Sequence, residues 1–407
     1  MNAASRAFTA AAVLVSSASF AAAQTAVRGE TVYTMTGAPL RDGVVLVGKD
    51  GKIEKVARAA EVAIPSGYGT LSAKVVTPGL IDAHTVVGLA GYLNQPHDQE
   101  QVEASAPIQP ELRAVDAYDP EERLVAYLRG YGITTLHTGH GPQGLVSGQT
   151  MIVKTTGRDA DAATVVPVAM IAATVGEAAK GEEGKSPGSR PKMIAMLRAE
   201  LVKAQEYTRK RATAEKGKEP ERSLKTEAFV RVLEGELPLL VTVHRAGDIL
   251  TVLRLAEEFK IKLVLDGVAE GYLVLDQLKK AGFPLIVHPT MARSFGETEN
   301  LSLETASVLR KAGLTVALQS GFESYVPKTR VVLFEAAVAA ANGLGLEGAL
   351  ASVTIDAARL LGIDKRVGSI EPGKDGDLAL YDGDPFEYTS HCVGTVIEGV
   401  PVSTAIQ

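Results

Sequence analysis

A single cysteine, Cys392, stands among 407 residues. One thiol excludes an intrachain disulfide framework and any zinc site built from several cysteines. There are only seven histidines, so a metal site requires several of them to converge. Beyond the N-terminus no run of about 18 apolar residues stands out as a bilayer-crossing segment. There is no excess of positive charge either. The 42 Lys and Arg face 48 Asp and Glu, a formal net charge of −6, which is no electrostatic footprint for nucleic acid. No internal repeat of about 20–50 residues is present.

What is there is a globular composition. The 46% hydrophobic fraction excludes disorder. The length fits two ordinary domains, or one large α/β barrel with an appendage.

The first residues read as an address. Arg6 gives a positive start, an apolar run extends from Phe8 to Phe20, and Ala21-Ala22-Ala23 precedes Gln24. This is the layout of a signal peptide, residues 1–23. It predicts export, to the periplasm or the medium. No lipobox cysteine is present, and no membrane anchor is expected in the mature chain.

The mature chain begins and ends in β grammar. Val27, Val32 and Tyr33 mark a first strand, Gly43 to Val47 a second, and Asp50-Gly51 a hairpin turn. Near the C-terminus Leu378 to Tyr381 and Val393 to Ile397 read as strands, with Gly399 at a turn. Between these ends, apolar strands alternate with helices. Strands are expected at 80–83, 134–138, 165–173, 239–243, 262–265, 285–287 and 315–318. Helices are expected at 121–131, 191–216, 247–259, 269–281, 303–312, 329–342 and 346–361. Such alternation argues a parallel sheet with crossover helices. The expected architecture is a (β/α)8 TIM barrel over residues 78–366, with a small β-sandwich formed by both termini, residues 25–77 and 367–407. Arg209-Lys210-Arg211 is interleaved with Glu206, Glu215, Glu219 and Glu221, so it reads as a solvated helix face.

Barrel chemistry belongs at the C-terminal ends of the strands. The run Thr77-Pro78-Gly79-Leu80-Ile81-Asp82-Ala83-His84-Thr85-Val86 turns into a buried strand and places His84 at its exit. Further motifs are Gly144-Leu145-Val146-Ser147-Gly148-Gln149, His244-Arg245-Ala246-Gly247-Asp248, and Gly368-Ser369-Ile370-Glu371-Pro372-Gly373-Lys374-Asp375-Gly376-Asp377. In these the chain resembles the amidohydrolase superfamily, and more narrowly its exported imidazolonepropionase-like members. The resemblance covers nearly the whole mature chain.

The resemblance implies hydrolysis of a non-peptide carbon–nitrogen bond by metal-bound hydroxide. The usual ligands are a His-x-His pair on the first strand, a carboxylate on the fourth, histidines on the fifth and sixth, and an aspartate on the eighth that also moves the proton. Here His84 matches the first histidine, but Val86 stands at the second. Glu177 matches a glutamate on the fourth strand, and His244 is kept on the fifth, with Thr242 two residues earlier. The resemblance puts Gly267 at the sixth-strand histidine, Gly321 at the catalytic aspartate, and Phe322 at the histidine beside it. Asp266 borders the sixth-strand position, but a neighbouring strand residue faces the other way unless a bulge intervenes.

The tentative metal set is therefore His84, His244 and Glu177, holding no ion or one divalent metal, zinc first. His288, Glu323 and His137 are the tentative substrate contacts. His137 and His140 flank a strand exit and also read as loop structure. His97 and His391 read as surface residues, and Cys392 as a buried, inert thiol. Ser147 lacks the glycine pattern of a nucleophile elbow. Two functions from different classes follow. One is a non-catalytic binding or partner protein on an eroded site, associating as a homo-oligomer or with an active relative, with a small molecule as an alternative ligand. The other is a mononuclear hydrolase of a small amide or cyclic amide.

Overall fold

The structure is a computed structural model describing residues 24–93, 95–290, 294–322, 331–404 and 406. Residues 1–23, where a signal peptide is expected, and Glu323 lie outside the described residues.

The N-terminal strands are β1 (Thr25–Val32), β2 (Leu40–Val47), β3 (Ile53–Arg58) and β4 (Gly69–Pro78). There follow β5 (Leu80–Thr85), β6 (Ile133–Thr138), β7 (Val146–Gln149), β8 (Met151–Lys154), β9 (Thr164–Val166) and β10 (Ile171–Thr174). Then come β11 (Leu239–Val243), β12 (Leu263–Gly267), β13 (Leu285–Val287) and β14 (Val316–Leu318). The chain closes with β15 (Leu378–Tyr381), β16 (Cys392–Ile397) and β17 (Val400–Ser403).

Strands from both ends share one seven-stranded sheet, ordered β17-β16-β15-β4-β1-β2-β3. Glu398 and Gly399 both adopt positive φ, 48° and 78°, the backbone of a tight primed turn between β16 and β17. Gly376, just before β15, links the two hairpin turns: its N–H donates to Gly51 O at 2.8 Å, and its carbonyl accepts from Gly399 N–H at 3.1 Å. Val27, Val45, Val76, Leu378 and Val396 fill its inner face. Cys392, on β16, is buried in a separate cluster, with Ala379 and Tyr381.

The central strands form two ladders, β14-β13-β12-β11-β10-β7 and β5-β6-β8-β9. The run from β10 to β14 is parallel throughout. A parallel bridge between Thr85 and Gly321 brings β5 against the end of β14. Side chains alternate with period two. Ile81, Ala83, Leu240, Val264, Ile286 and Ala317 meet on the inner face of the strands, with Met170 and Ala172. Leu239, Val241, Leu263, Leu265, Leu285 and Leu318 face the surrounding helices.

Those helices are α1 (Arg123–Gly130), α2 (Ala160–Ala163), α3 (Arg190–Thr213), α4 (Leu224–Leu233), α5 (Ala246–Phe259), α6 (Leu275–Ala281), α7 (Thr305–Lys311), α8 (Val332–Ala339), α9 (Gly345–Ser352) and α10 (Ile355–Leu360). Several differ from the sequence expectation. The strand expected at 165–173 is two short ones, because Pro167 between them has no N–H to offer a ladder. The helix expected at 346–361 breaks at Val353 and Thr354. Residues 332–352 are apolar and long enough to cross a membrane by composition, contrary to the sequence reading. They are interrupted by non-helical Asn342 and Gly343. Val332, Ala336 and Leu350 pack into the barrel core, the place of core helices.

Candidate functional site

At the C-terminal strand ends lies a cavity of about 70 Å³, lined among others by His84, Thr242, His244, Asp266, His288 and Gln319. That volume holds a few water molecules and falls well below a drug-sized ligand site. Three of the expected residues, His84, His244 and His288, therefore meet at one place. Val86, Gly321 and Phe322 also line it.

Asp266 is the centre of the cavity floor. It is in phase with the inward residue Val264 on β12, and it is only 2% exposed. The Thr242 hydroxyl donates to its Oδ2 at 2.5 Å, the Gln319 amide donates to its Oδ1, and His84 Nδ1 lies 3.3 Å from Oδ2. This corrects the sequence reading in two ways. The inward side chain of β12 is Asp266, and no bulge is needed to bring it there. Gly267 is the residue where the strand ends, with φ 86°, followed by Val268 at φ 44°. A side chain there would collide with a neighbour, since a Cβ on Gly267 would sit 2.5 Å from His244 Cε1.

The electrostatics follow from this contact. Burial opposes charge on both Asp266 and His84. Their mutual attraction outweighs it, holding the Asp266 carboxyl below its ordinary range and raising the His84 imidazole. His84 Nε2 and His244 Nδ1 are buried without a hydrogen-bond partner among the described residues. Below them, Asp82 accepts from the backbone N–H of Ser320 at 3.0 Å and of His84 at 3.3 Å. Burial pushes the Asp82 carboxyl up to about 7.

Two expected site residues are elsewhere. Glu177 sits on a short turn after β10 with its side chain 57% exposed, 3.8 Å from Lys180. It does not line the cavity that His84 and His244 share. His137 lies beneath the cavity and not in it. Its Nδ1 is 2.6 Å from Ala83 O and its Nε2 is 2.7 Å from Thr150 Oγ1. Both nitrogens are used, and burial, reinforced by His84, pushes its pKa down to about 3. It is a neutral brace between β5 and Thr150, the residue before β8, and does not line the cavity. His97 and His391 are exposed. Gln319 and Asp82 are residues that motif reading left out, and Asp266 is one that it set aside as facing the other way. The signal that finds Asp266 and Gln319 is their phase with the inward residues Val264 and Ala317.

A model of an amidohydrolase family matches residues 89–403. An amidohydrolase from Thermotoga maritima MSB8 of known structure is 30% identical, superposes with a TM-score of 0.87, and is matched over 94% of this chain and 100% of its own. This chain belongs to the amidohydrolase family. Molinate hydrolase shares the fold at 16% identity, with a TM-score of 0.56 over 95% of this chain and 96% of its own. Amidohydrolase tasK of Hapsidospora irregularis is 24% identical over 88% of this chain, which spans 39% of its length. The fold is thus the (β/α)8 type of the amidohydrolases.

Family membership implies a divalent metal, and the residues present can be tested against one. Val86 has no lone pair and Gly321 has no side chain. The Asp266 carboxylate is already engaged by three partners, and Glu177 is exposed and outside the cavity lining. Among the described residues no three His, Cys, Asp or Glu side chains are grouped to hold an ion. A catalytic zinc needs three protein ligands around an open position. This donor set does not fit that centre.

Proposed function

We propose that this amidohydrolase-family protein does not perform the metal-assisted hydrolysis of its relatives and serves as a non-catalytic binding or partner protein. The observation that carries the reading is the engagement of Asp266. The inward carboxylate is spent on Thr242, Gln319 and His84, while the position of the proton-moving aspartate is Gly321. Within this reading the chain is an exported imidazolonepropionase-like member, cleaved near Gln24 and located in the periplasm or the medium. Its barrel closes at the Thr85–Gly321 bridge, and its terminal sheet is the composite β-sandwich of the family. It associates with itself or with a relative that keeps the full ligand set. The test is metal analysis of untagged protein, together with a panel of N-acyl and cyclic amides. The expected result is less than about one equivalent of zinc after dialysis and no hydrolysis. Two tightly held ions per chain would overturn the reading.

A second reading is favoured by one specific observation: His84, His244, Asp266 and His288 still line a single cavity. On that reading the chain is a mononuclear hydrolase of a small amide. Chelator-sensitive amide hydrolysis that is abolished by His244→Ala would establish it.

A further inference from the structure

We propose that residues 177–190, between β10 and α3, form a flap whose two ends are latched by the single carboxylate of Glu297, and that this latch controls entry to the barrel-mouth cavity. The inference goes beyond the non-catalytic reading, because a latched mouth limits entry whether or not the site performs chemistry.

Three observations carry it. The first is the make-up of the flap. Between Glu177 and Arg190 it holds Gly181, Gly184 and Gly188, and of residues 180–189 only Pro187 is buried. A segment with so little apolar burial is held in place by its ends.

The second is how those ends are held. Glu297 lies in the short turn between β13 and α7. Its Oε2 accepts from the backbone N–H of Glu177 at 2.7 Å, where the flap starts. Its Oε1 meets the Arg190 guanidinium, where the flap ends. Arg190 also donates from Nε to Asp248 Oδ2 at 2.6 Å, in the first turn of α5. Gly176 permits the close approach, since a Cβ there would collide with Glu297 Oε2. The side chains of Arg190, Asp248 and Glu297 are 25%, 13% and 12% exposed, so solvent screens these pairs less than it screens a surface pair.

The third is where the latch runs. The ladder order is β13-β12-β11-β10, and neighbouring strands lie about 4.8 Å apart. A contact between the loops after β10 and β13 therefore crosses the ends of β11 and β12. Those ends place His244 and Gly267 in the cavity lining. A second tie supports the first. Glu270, after β12, accepts from the Ala246 N–H at 2.8 Å and from the Asn300 amide at 2.9 Å. The loops after four consecutive strands are thus laced together by side chains at the rim of the cavity.

The experiment uses the full mature chain carrying Val86→Cys, with EDTA present so that the new thiol holds no ion. Val86 lines the cavity and is 2% exposed, so a thiol there reacts with iodoacetamide only when the mouth opens. Cys392, 3% exposed on β16, reports global unfolding in the same sample. The latch variant is Glu297→Gln, which keeps the shape, removes the charge and leaves Arg190 its Asp248 partner. Labelling at position 86, read by peptide mass spectrometry, should be roughly tenfold faster in that variant, with Cys392 unaffected. Trypsin should cut after Lys180 and Lys185 faster by a similar factor. Arg198→Met is the control. It breaks another ion pair between α3 and α5, Arg198 with Glu258, whose side chains are 43% and 42% exposed, and it should leave both rates within about twofold.

Unchanged labelling at position 86 in the latch variant would overturn the proposal, even with faster tryptic cleavage, because the flap would then be free without governing the mouth. So would Cys392 labelling that accelerates in step, since that marks global unfolding. Metal content and amide hydrolysis test the non-catalytic reading and do not bear on the latch, so the two claims fail separately.

Discussion

Lys154 offers the sharpest perturbation of the fold. It ends β8 with its side chain 5% exposed, and it pairs with Asp375 at 2.9 Å and with Asp377. Both carboxylates belong to the segment leading into β15, so the ammonium ties the barrel to the terminal sheet. Asp375 and Asp377 are 1% and 3% exposed, and Asp375 also meets Lys52 and Arg366. Replacing Lys154 by Met keeps most of the volume and removes the charge. Breaking a buried pair on one side costs about 3–5 kcal/mol. Asp375 retains two cations, so about 2–4 kcal/mol is the expected loss. With an unfolding entropy of roughly 2.1 cal/mol/K per residue over a chain of this size, that is about 2–5 °C in Tm. Lys52→Met is the control: its side chain is 39% exposed, and an exposed partner of this kind is worth about 0–1 kcal/mol. The assay is differential scanning calorimetry at a fixed scan rate, checked by urea unfolding. Burial lowers the Lys154 pKa, but Asp377 and Asp375 outweigh it and leave it raised above 10.5. This contribution is therefore complete below 10.5 and is lost as pH climbs through the folded value. The Asp375 pKa is raised by burial but lowered further by Lys154 and Lys52, ending below 3.8. Its contribution is present above 3.8 and is lost as pH falls through the folded value. The gap between wild type and Lys154→Met should hold steady from about pH 4 to pH 10. A Lys154→Met protein within about 1 °C of wild type, or no worse than Lys52→Met, would refute the assignment.

Asp82 gives the opposite pH signature. Its folded pKa of about 7 exceeds the ordinary 3.8, so its stabilisation is full below 3.8 and declines as pH rises towards 7. Asp82→Asn should flatten the loss of Tm between pH 4 and pH 8, as followed by melts across that range, and an unchanged slope would contradict the burial argument. Imidazole NMR of His137 should show a neutral ring with its proton on Nδ1 from pH 5 to pH 8, and protonation within that window would be inconsistent with its two hydrogen bonds. Glu177→Ala should change stability by less than about 0.5 kcal/mol and leave zinc content untouched. A loss of bound zinc in that variant would return Glu177 to the metal set.

The architecture was legible wherever local chemistry and burial agree. Asp50-Gly51 and Gly399 announce turns because only such residues adopt left-handed backbone cheaply. The inward strands read correctly because apolar residues recur at alternating positions. Reading failed where an apolar pattern runs across a backbone break. Val165 to Ala173 is apolar throughout, yet Pro167 splits it. The run from Leu346 to Leu361 keeps helical spacing across Val353 and Thr354, where the backbone turns out of the helix. Helix α4 went unseen, although Ser223 accepts from the N–H of Thr226 at its start, a cap signal present in the sequence.

The site shows what motif matching can and cannot carry. His84, His244 and His288 were found because each ends a strand, and strand ends face one cavity whatever the loops do. Glu177 was misplaced because similarity in a loop fixes no direction. The sixth strand is the instructive case. Matching put the ligand position at Gly267, while phase puts the inward side chain at Asp266. On β11 the inward series runs Leu240, Thr242; on β14 it runs Ala317, Gln319. The same count on β12 runs Val264, Asp266, and the register Thr242↔Asp266 sets the two at one level of the barrel. A donor and an acceptor at one level bond to each other, as the Thr242 hydroxyl and the Asp266 carboxylate do. Gln319 reaches the same carboxylate from β14 and His84 from β5. A cavity floor assembled from four strands at one height is a property of the barrel's register, and it fixes which oxygen atoms remain for any ligand.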